Sequence, residues 1–212
     1  MLSLSRRSTC VLLTDHSVKC FYINPGAPAS GDWDSGLSAP ENTVPLAAGR
    51  TAVQVANGEL HSCALLDDGS VKCWGAASYG QLGNGAPTGQ PSPPEQVINF
   101  GPGRKAKAIA VGLFHSCALM DDQTMRCWSR GLEGQLGVGS RDNKMFPPSV
   151  PIKFAGNKKV LSIHAAHFRS CAILEDHSTT CWGDGRWFTL GIPSGAVWSP
   201  RREPISFRAV AD

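Results

Sequence analysis

The sequence predicts an all-β chain in which one unit of about 53 residues is repeated four times. Three observations carry this. Eight cysteines fall as four pairs, at 10 and 20, 63 and 73, 117 and 127, 171 and 181, with the same spacing inside every pair and nearly the same step between pairs. Whole motifs recur at that step. The third observation is composition: 23 Gly and 15 Pro among 212 residues, with 17% charged, against roughly 25% charged in soluble domains. Such a chain suits short strands and tight turns, not a helical bundle or coiled coil. At 42% hydrophobic it still buries a core. No run of about eighteen apolar residues exists, so no membrane-spanning helix is expected. A formal charge of +3 without any Lys/Arg block gives no reason to expect direct nucleic-acid binding.

The cysteine hairpin is the clearest element. Leu60-His61-Ser62-Cys63-Ala64-Leu65 returns as Phe114-His115-Ser116-Cys117-Ala118-Leu119 and as Phe168-Arg169-Ser170-Cys171-Ala172-Ile173. Cys73-Trp74-Gly75 returns as Cys127-Trp128-Ser129 and Cys181-Trp182-Gly183. Strand Leu60–Leu66 meets strand Ser70–Trp74 across Asp67-Asp68-Gly69, a three-residue loop whose third position needs a left-handed backbone. Leu66 then faces Ser70 as a hydrogen-bonded pair, and alternation makes Cys63 and Cys73 a directly opposed pair with Cα atoms about 4.5 Å apart. A disulfide tolerates that distance. The equivalent third positions are His16, Gln123 and His177, which accept a left-handed backbone less readily than Gly.

Two more short strands are expected upstream of each hairpin: Val44–Leu46, Val97–Phe100, Val150–Phe154 and Pro204–Phe207 in one series, Ala52–Ala56, Ala108–Val111 and Val160–Ala165 in the other. Each unit thus reads as about four short strands, with boundaries near 1–43, 44–96, 97–149 and 150–203 and a closing segment at 204–212. The first copy is eroded. It keeps Ser8-Thr9-Cys10-Val11-Leu12 and Cys20-Phe21-Tyr22, and it starts at the hairpin without the upstream strands that 204–212 carries in excess.

Each chemical motif has a simpler explanation than catalysis. His61, Cys63 and Cys73 are three conceivable zinc ligands, but the histidine position is Ser8 in the first unit and Arg169 in the fourth, and no C-x₂₋₄-C occurs. Disulfides at Cys10–Cys20, Cys63–Cys73, Cys117–Cys127 and Cys171–Cys181 are the favoured reading, ahead of free buried thiols and of metal. Gly80-Gln81-Leu82-Gly83-Asn84-Gly85 lacks the Lys-Ser/Thr of a phosphate loop and reads as a tight turn with Leu82 in the core between units. Trp74, Trp128 and Trp182 occupy one position per unit, so they read as core wedges. Asp67-Asp68 and Asp121-Asp122 are hairpin-tip acids rather than calcium ligands. His61 and Ser62 are strand neighbours pointing to opposite faces, which suits no nucleophile and base. No enzyme, metal or cofactor is therefore expected.

Units with Gly58, His61, Ser62, Ala64, Leu65, Asp68, Gly69, Val71, Trp74, Gly75 and the Gly80–Gly83 turn resemble the regulator of chromosome condensation repeat family, in a cysteine-containing variety. The match is best from Val53 to Gly85, clear to Gly139, weaker to Gly191. The resemblance implies a β-propeller, typically of seven blades in this family. Four units then make either a closed four-bladed ring, joined through 204–212, or an arc of a larger propeller. Founding members of the family act as exchange factors for a small nuclear GTPase, and a similar seven-bladed protein is a secreted bacterial enzyme inhibitor.

The expected function is a non-catalytic protein-binding or scaffold domain, an accessory subunit of a larger assembly. The rivals are an inhibitor of an exported enzyme and a guanine-nucleotide exchange factor. Paired cysteines point to an oxidising compartment, whether organelle lumen, bacterial envelope or exterior, although Met1–Arg7 shows no targeting segment. Binding is expected where units differ: 24–40, 86–96, 141–148 and 186–202. The last of these combines Arg186, Trp187, Trp198, Arg201 and Arg202, residue types that supply much interface energy.

Overall fold

The computed structural model describes residues 1–5, 7–22, 43–86, 88–90, 93–186 and 196–197. They form four antiparallel sheets in chain order. The first holds β1 (Leu2–Leu4), β2 (Ser8–Leu12) and β3 (Val18–Tyr22). The second holds β4 (Ala52–Asn57), β5 (His61–Leu66) and β6 (Val71–Gly75), the third β7 (Ala106–Val111), β8 (His115–Met120) and β9 (Met125–Ser129). The fourth holds β10 (Val160–Ala166), β11 (Arg169–Leu174), β12 (Thr179–Asp184) and β13 (Ala196–Val197). In every sheet the two hairpin strands pair with the cysteines directly opposed. All four expected disulfides are in place, each with Cα atoms 4.1 Å apart.

The hairpin turn is the same in all four sheets. Gly69 has φ 81°, and His16, Gln123 and His177 follow at 62°, 64° and 63° despite their side chains. Each loop is held by its first or second acid: Asp15, Asp68, Asp122 and Asp176 each accept a backbone N–H and a hydroxyl from the residue two positions on. That turn chemistry imposes the left-handed residue whether or not it is glycine.

Two expectations need correction. The first unit does not lack an inner strand: β1 pairs with β2, Leu2 opposite Val11 and Leu4 opposite Thr9, in the place that β4 takes beside β5. Residues 204–212, expected as a closing segment, lie outside the described residues. Secondly, Val44–Leu46, Val97–Phe100 and Val150–Phe154, expected as strands of the following unit, bond instead to the sheet before them. Val44, Ile98 and Ile152 each donate one backbone bond to the outer hairpin strand before them, at Val18, Val71 and Met125. At the other end of that strand, Gln90 bridges Gly75 and Lys144 bridges Ser129. The fourth strand is thus an outer segment tied at both ends. Pro93 and Pro94, and Pro147 and Pro148, lie between the ties, and proline cannot donate to a ladder.

A buried cation fastens the middle. Lys72, only 2% exposed, donates to the carbonyls of Pro94 in its own sheet and Leu46 in the preceding one, at 2.8 and 3.2 Å. Arg126 repeats this with Pro148 and Phe100. At the next equivalent position stands Thr180, whose shorter buried side chain has no hydrogen-bond partner for its hydroxyl among the described residues.

Among the described residues, every pair of elements in substantial contact belongs to one sheet or to consecutive sheets. Between them lie three cores. Trp74 packs with Cys10 and Cys20 of the first sheet, Trp128 with Leu82 and Phe100, Trp182 with Leu136 and Phe154. The tryptophans and both leucines are fully buried. Polar latches run through the same interfaces. The Trp128 and Trp182 indoles donate to the carbonyls of Gln81 and Gln135 in the preceding sheet, at 3.2 and 2.9 Å. His61 meets Ser116, and His115 meets Ser170, each at 2.9 Å. Ser170 also donates to the Gln135 carbonyl, so it accepts from His115 Nε2–H. β5 and β8 are buried along their whole length, whereas β11 alternates buried and half-buried because only one of its faces meets a neighbouring described sheet.

Two predictions follow from this packing. A Cβ on Gly137 would stand 2.5 Å from the Trp182 indole nitrogen, whereas one on Gly139 would meet nothing within 4 Å, although both residues have positive φ. Gly137→Ala should cost about 3 kcal/mol, combining backbone strain and overpacking, and Gly139→Ala only about 1 kcal/mol. Urea denaturation of the two variants measures the difference, and equal costs would contradict the tight indole contact. Burial also pushes His61 and His115 down to about 3. Below the unfolded value of 6.5 the unfolded chain takes up protons that these imidazoles refuse, so stability falls as pH drops. Each histidine contributes about 1.4 kcal/mol per pH unit. Between pH 7 and pH 5, His61→Gln should reduce the loss of unfolding free energy by about 2 kcal/mol; an unchanged loss would show that the ring is charged when folded.

Candidate protein-binding face

The loops joining inner to second strands lie beside the turns that leave the third strands. Backbone bonds fix this: Ala76 N–H to Leu60, Arg130 N–H to Phe114 and Asp184 N–H to Phe168. The loops are also tied across sheets, Glu59 N–H to Leu113 and Leu113 N–H to His167. One end of the sheet stack thus carries a continuous row, Leu60–Phe114–Phe168, with residues 76, 130 and 184 alongside it.

Arg130 is the centre of this face. Its guanidinium lies 5.1, 5.2 and 5.7 Å from the ring centroids of Phe168, Tyr79 and Phe114. The rings touch one another, Tyr79 to Phe114 edge-on at 5.8 Å and Phe114 to Phe168 tilted at 6.0 Å. Glu133 accepts from Nε and Nη2 of Arg130 at 3.2 and 2.7 Å. Gln135, fully buried, holds Glu133 in turn: it donates to the carboxylate and accepts the Glu133 backbone N–H. Three rings and a carboxylate keep the guanidinium in one orientation, which reduces the entropy lost on binding. Tyr79, Phe114, Phe168 and Arg130 are all half-buried and open to solvent on one side.

Arg186 belongs to the same face. It is an exposed side chain that makes a bidentate ion pair with Asp184, at 2.9 Å from Nε to Oδ1 and 2.6 Å from Nη2 to Oδ2. That pair holds the Asp184 carboxyl below its ordinary range and Arg186 above its own, and the Glu133 charge also reaches Arg186. Trp187, Trp198, Arg201 and Arg202 lie outside the described residues. The eight cysteines are all bridged and offer no thiolate.

Sequence reasoning missed Tyr79, Phe114, Arg130 and Phe168. Phe114 and Phe168 stood inside the repeat motif and were read as part of it. The usable signal was divergence at one repeat position, Ala76, Arg130 and Asp184, within an otherwise uniform stretch.

His61 and Ser116 have hydrogen-bond geometry familiar from nucleophilic sites. Both are at most 1% exposed, and the pair repeats as His115 and Ser170. Each pairing joins consecutive sheets.

These features define a class: a β-propeller built from repeated disulfide-braced blades, with its variable residues at the blade ends. Family comparison makes the assignment specific. Regulator of chromosome condensation (RCC1) repeats match residues 52–81 and 106–135, and a second description of the same repeat matches 68–119. The chain carries repeats of this family. It is 32% identical over 178 residues to the RCC1 domain-containing protein RUG3, mitochondrial, of Arabidopsis thaliana, covering 81% of this chain and 37% of the relative. Its fold is similar to that of human WBSCR16, with TM-score 0.73 and 22% identity over 94% of this chain and 52% of that one. It is likewise similar to yeast RCC1 (Prp20), solved bound to Kap60, with TM-score 0.74 and 18% identity over 99% of this chain and 49% of that one. The chain therefore spans between about a third and a half of these three proteins.

Proposed function

We propose that this chain is a non-catalytic protein-binding module, a scaffold or accessory element of a larger assembly, and that it engages its partner through the end face centred on Arg130. The observation that carries this reading is the Tyr79–Phe114–Arg130–Phe168 cluster. Aromatic and arginine side chains dominate binding energy at interfaces, and here they stand half-exposed at positions that packing leaves free to differ. Arg186 extends the face, and Trp187, Trp198, Arg201 and Arg202, outside the described residues, are proposed as further partner-binding residues on their side-chain types alone. Protein binding has precedent among the similar folds, since yeast RCC1 has been solved bound to Kap60.

Affinity capture with identification of the partner tests this. Phe168→Ala with Arg130→Ala, and separately Trp187→Ala with Trp198→Ala and Arg201→Ala, should each weaken capture at least about tenfold, with the melting temperature nearly unchanged. Retained binding by both sets would place the interface elsewhere. Recovery of a small GTPase whose nucleotide release the protein accelerates would replace the scaffold reading with exchange activity, and recovery of an exported enzyme that loses activity would replace it with inhibition.

An oxidising compartment fits the four bridges, because disulfides are rare where thiols are kept reduced. The Arabidopsis relative is named as mitochondrial. Thiol titration of protein isolated with its thiols trapped, denatured and unreduced, should find close to none free; a majority of free thiols would rule such a compartment out.

A further inference from the structure

The cluster around Arg130 holds more donors than acceptors. Oε1 of Glu133 accepts from Nη2 of Arg130, and Oε2 accepts from Nε and from the Gln135 amide, so both oxygens are engaged. Glu133 also acts through space on Arg186, and one carboxylate thus serves two guanidinium groups. Nη1 of Arg130 and the Tyr79 hydroxyl donate to no acceptor among the described residues, and neither is a buried atom. Both stand over one aromatic patch, with the guanidinium carbon 5.2 Å from the Tyr79 ring centroid.

The cage of Tyr79, Phe114 and Phe168 already contains its cation, so a partner's lysine or arginine would meet a like charge instead of an open aromatic box. The free donors call for an acceptor, and a hydrogen bond between ionised groups is the stronger kind. The rings form a stepped row, Tyr79 to Phe114 at 5.8 Å and Phe114 to Phe168 at 6.0 Å. Alternate residues of an extended chain stand about 6.6 Å apart on one side, close to that step. Leu132, 42% exposed, adds apolar surface next to Glu133.

We propose that this face recognises an extended segment of a partner protein in which a Glu or Asp side chain is followed and preceded, two residues away, by apolar ones. The carboxylate accepts from Nη1 of Arg130 and from the Tyr79 hydroxyl, and the apolar side chains lie on Phe114, Phe168 and Leu132. The rings and Glu133 keep the guanidinium oriented before the segment arrives, so little ordering remains to be done on binding. The carboxylate preference presupposes that the Arg130 face is the binding surface, and the two can fail separately.

The test titrates the ¹⁵N-labelled protein with N-acetyl-Leu-Ser-Glu-Ser-Leu-amide. Saturable shifts are expected at the Arg130 side-chain Nε–H and at the amides of Tyr79, Phe114 and Phe168. Replacing Glu by Gln in the peptide should weaken binding about fivefold, between the scale of an exposed ion pair and that of a charge-assisted hydrogen bond. Replacing both Leu by Ala should weaken it about tenfold. Arg130→Gln should bring the Glu and Gln peptides to equal affinity. Glu133→Gln removes the neighbouring like charge and should strengthen the Glu peptide about threefold, opposite in sign to the effect of damage to the face. Equal affinity of the unaltered protein for the Glu and Gln peptides, with shifts at these residues, would overturn the carboxylate preference and leave the face standing. Tighter binding of the Gln peptide with a free terminal carboxylate would overturn the side-chain assignment in favour of a chain end. Shifts confined to other residues, or none at millimolar peptide, would also overturn it, and partner capture by the Phe168→Ala and Arg130→Ala protein then decides the face by itself.

Discussion

The stack depends on one small contact made twice among the described residues: the indole N–H of a buried tryptophan donating to the main-chain carbonyl of the glutamine one sheet earlier, at Trp128–Gln81 and Trp182–Gln135. A sheet of three short strands cannot bury both faces by itself, and marginal sheets need cover. The tryptophan supplies that cover and demands a partner for its nitrogen. The demand is met only if the turn carrying the glutamine presents its carbonyl inward. That turn therefore has glycines at positive φ on both sides of the Gln-Leu pair, and the leucine goes into the core beside the ring. The Gln side chain stays with its own turn, accepting the backbone N–H of Tyr79 or Glu133 two residues earlier. One turn thus settles its own shape, the next sheet's wedge and the spacing between sheets.

Nearer the end face, the His–Ser contacts do the same work with polar groups. Their geometry would serve chemistry in an open site, but complete burial turns it into adhesion whose strength is tied to neutrality of the ring. On the outside, Lys72 and Arg126 bridge the outer segments of adjacent sheets through carbonyl groups alone. A cation suits this place because the proline-containing segments offer acceptors and few donors. The blades are consequently fastened at three levels: glutamine side chain to inner strand, as Gln54 does with Ile109, then indole and imidazole, then buried cation.

What was legible in the sequence was whatever a single unit determines. The Cys63–Cys73 register followed from a three-residue loop and strand alternation, and the structure has that pairing in all four sheets. The wedge role of Trp182 and the core position of Leu136 followed from strict recurrence. What was not legible depended on neighbours. Val97–Phe100 has β-forming composition, yet Ile98 bonds back to Val71 while Phe100 reaches forward to Trp128 at 5.8 Å. Local pattern cannot divide a segment shared by two sheets. β1 escaped notice because Leu2-Ser3-Leu4 is too short to carry a pattern; its pairing with β2 and the bonds between Ser3 and Asn57 appear only in the folded chain. His16 and Gln123 were expected to resist the left-handed turn position; the Asx contacts of Asp15 and Asp122 with the residues following the turn outweigh that resistance.

The candidate site was hidden for a related reason. Phe114 and Phe168 sit immediately before the conserved-looking hairpin strand, so each seems a member of the motif; only the tertiary arrangement shows that their rings leave the core and gather around Arg130. The residue beside each ring is set by the backbone bond between positions 60 and 76, 114 and 130, or 168 and 184. That bond needs no particular side chain at the second position, and the three occupants are accordingly Ala76, Arg130 and Asp184. The architecture therefore presents a row of fixed addresses whose contents are unconstrained by packing: apolar, then cationic, then anionic along one face. A scaffold that spends its tryptophans, histidines and glycines on adhesion keeps its chemical variety for such addresses. On the proposed reading, a partner at this face would meet a different charge at each blade in a geometry that does not change, and recognition would rest on the order of the blades.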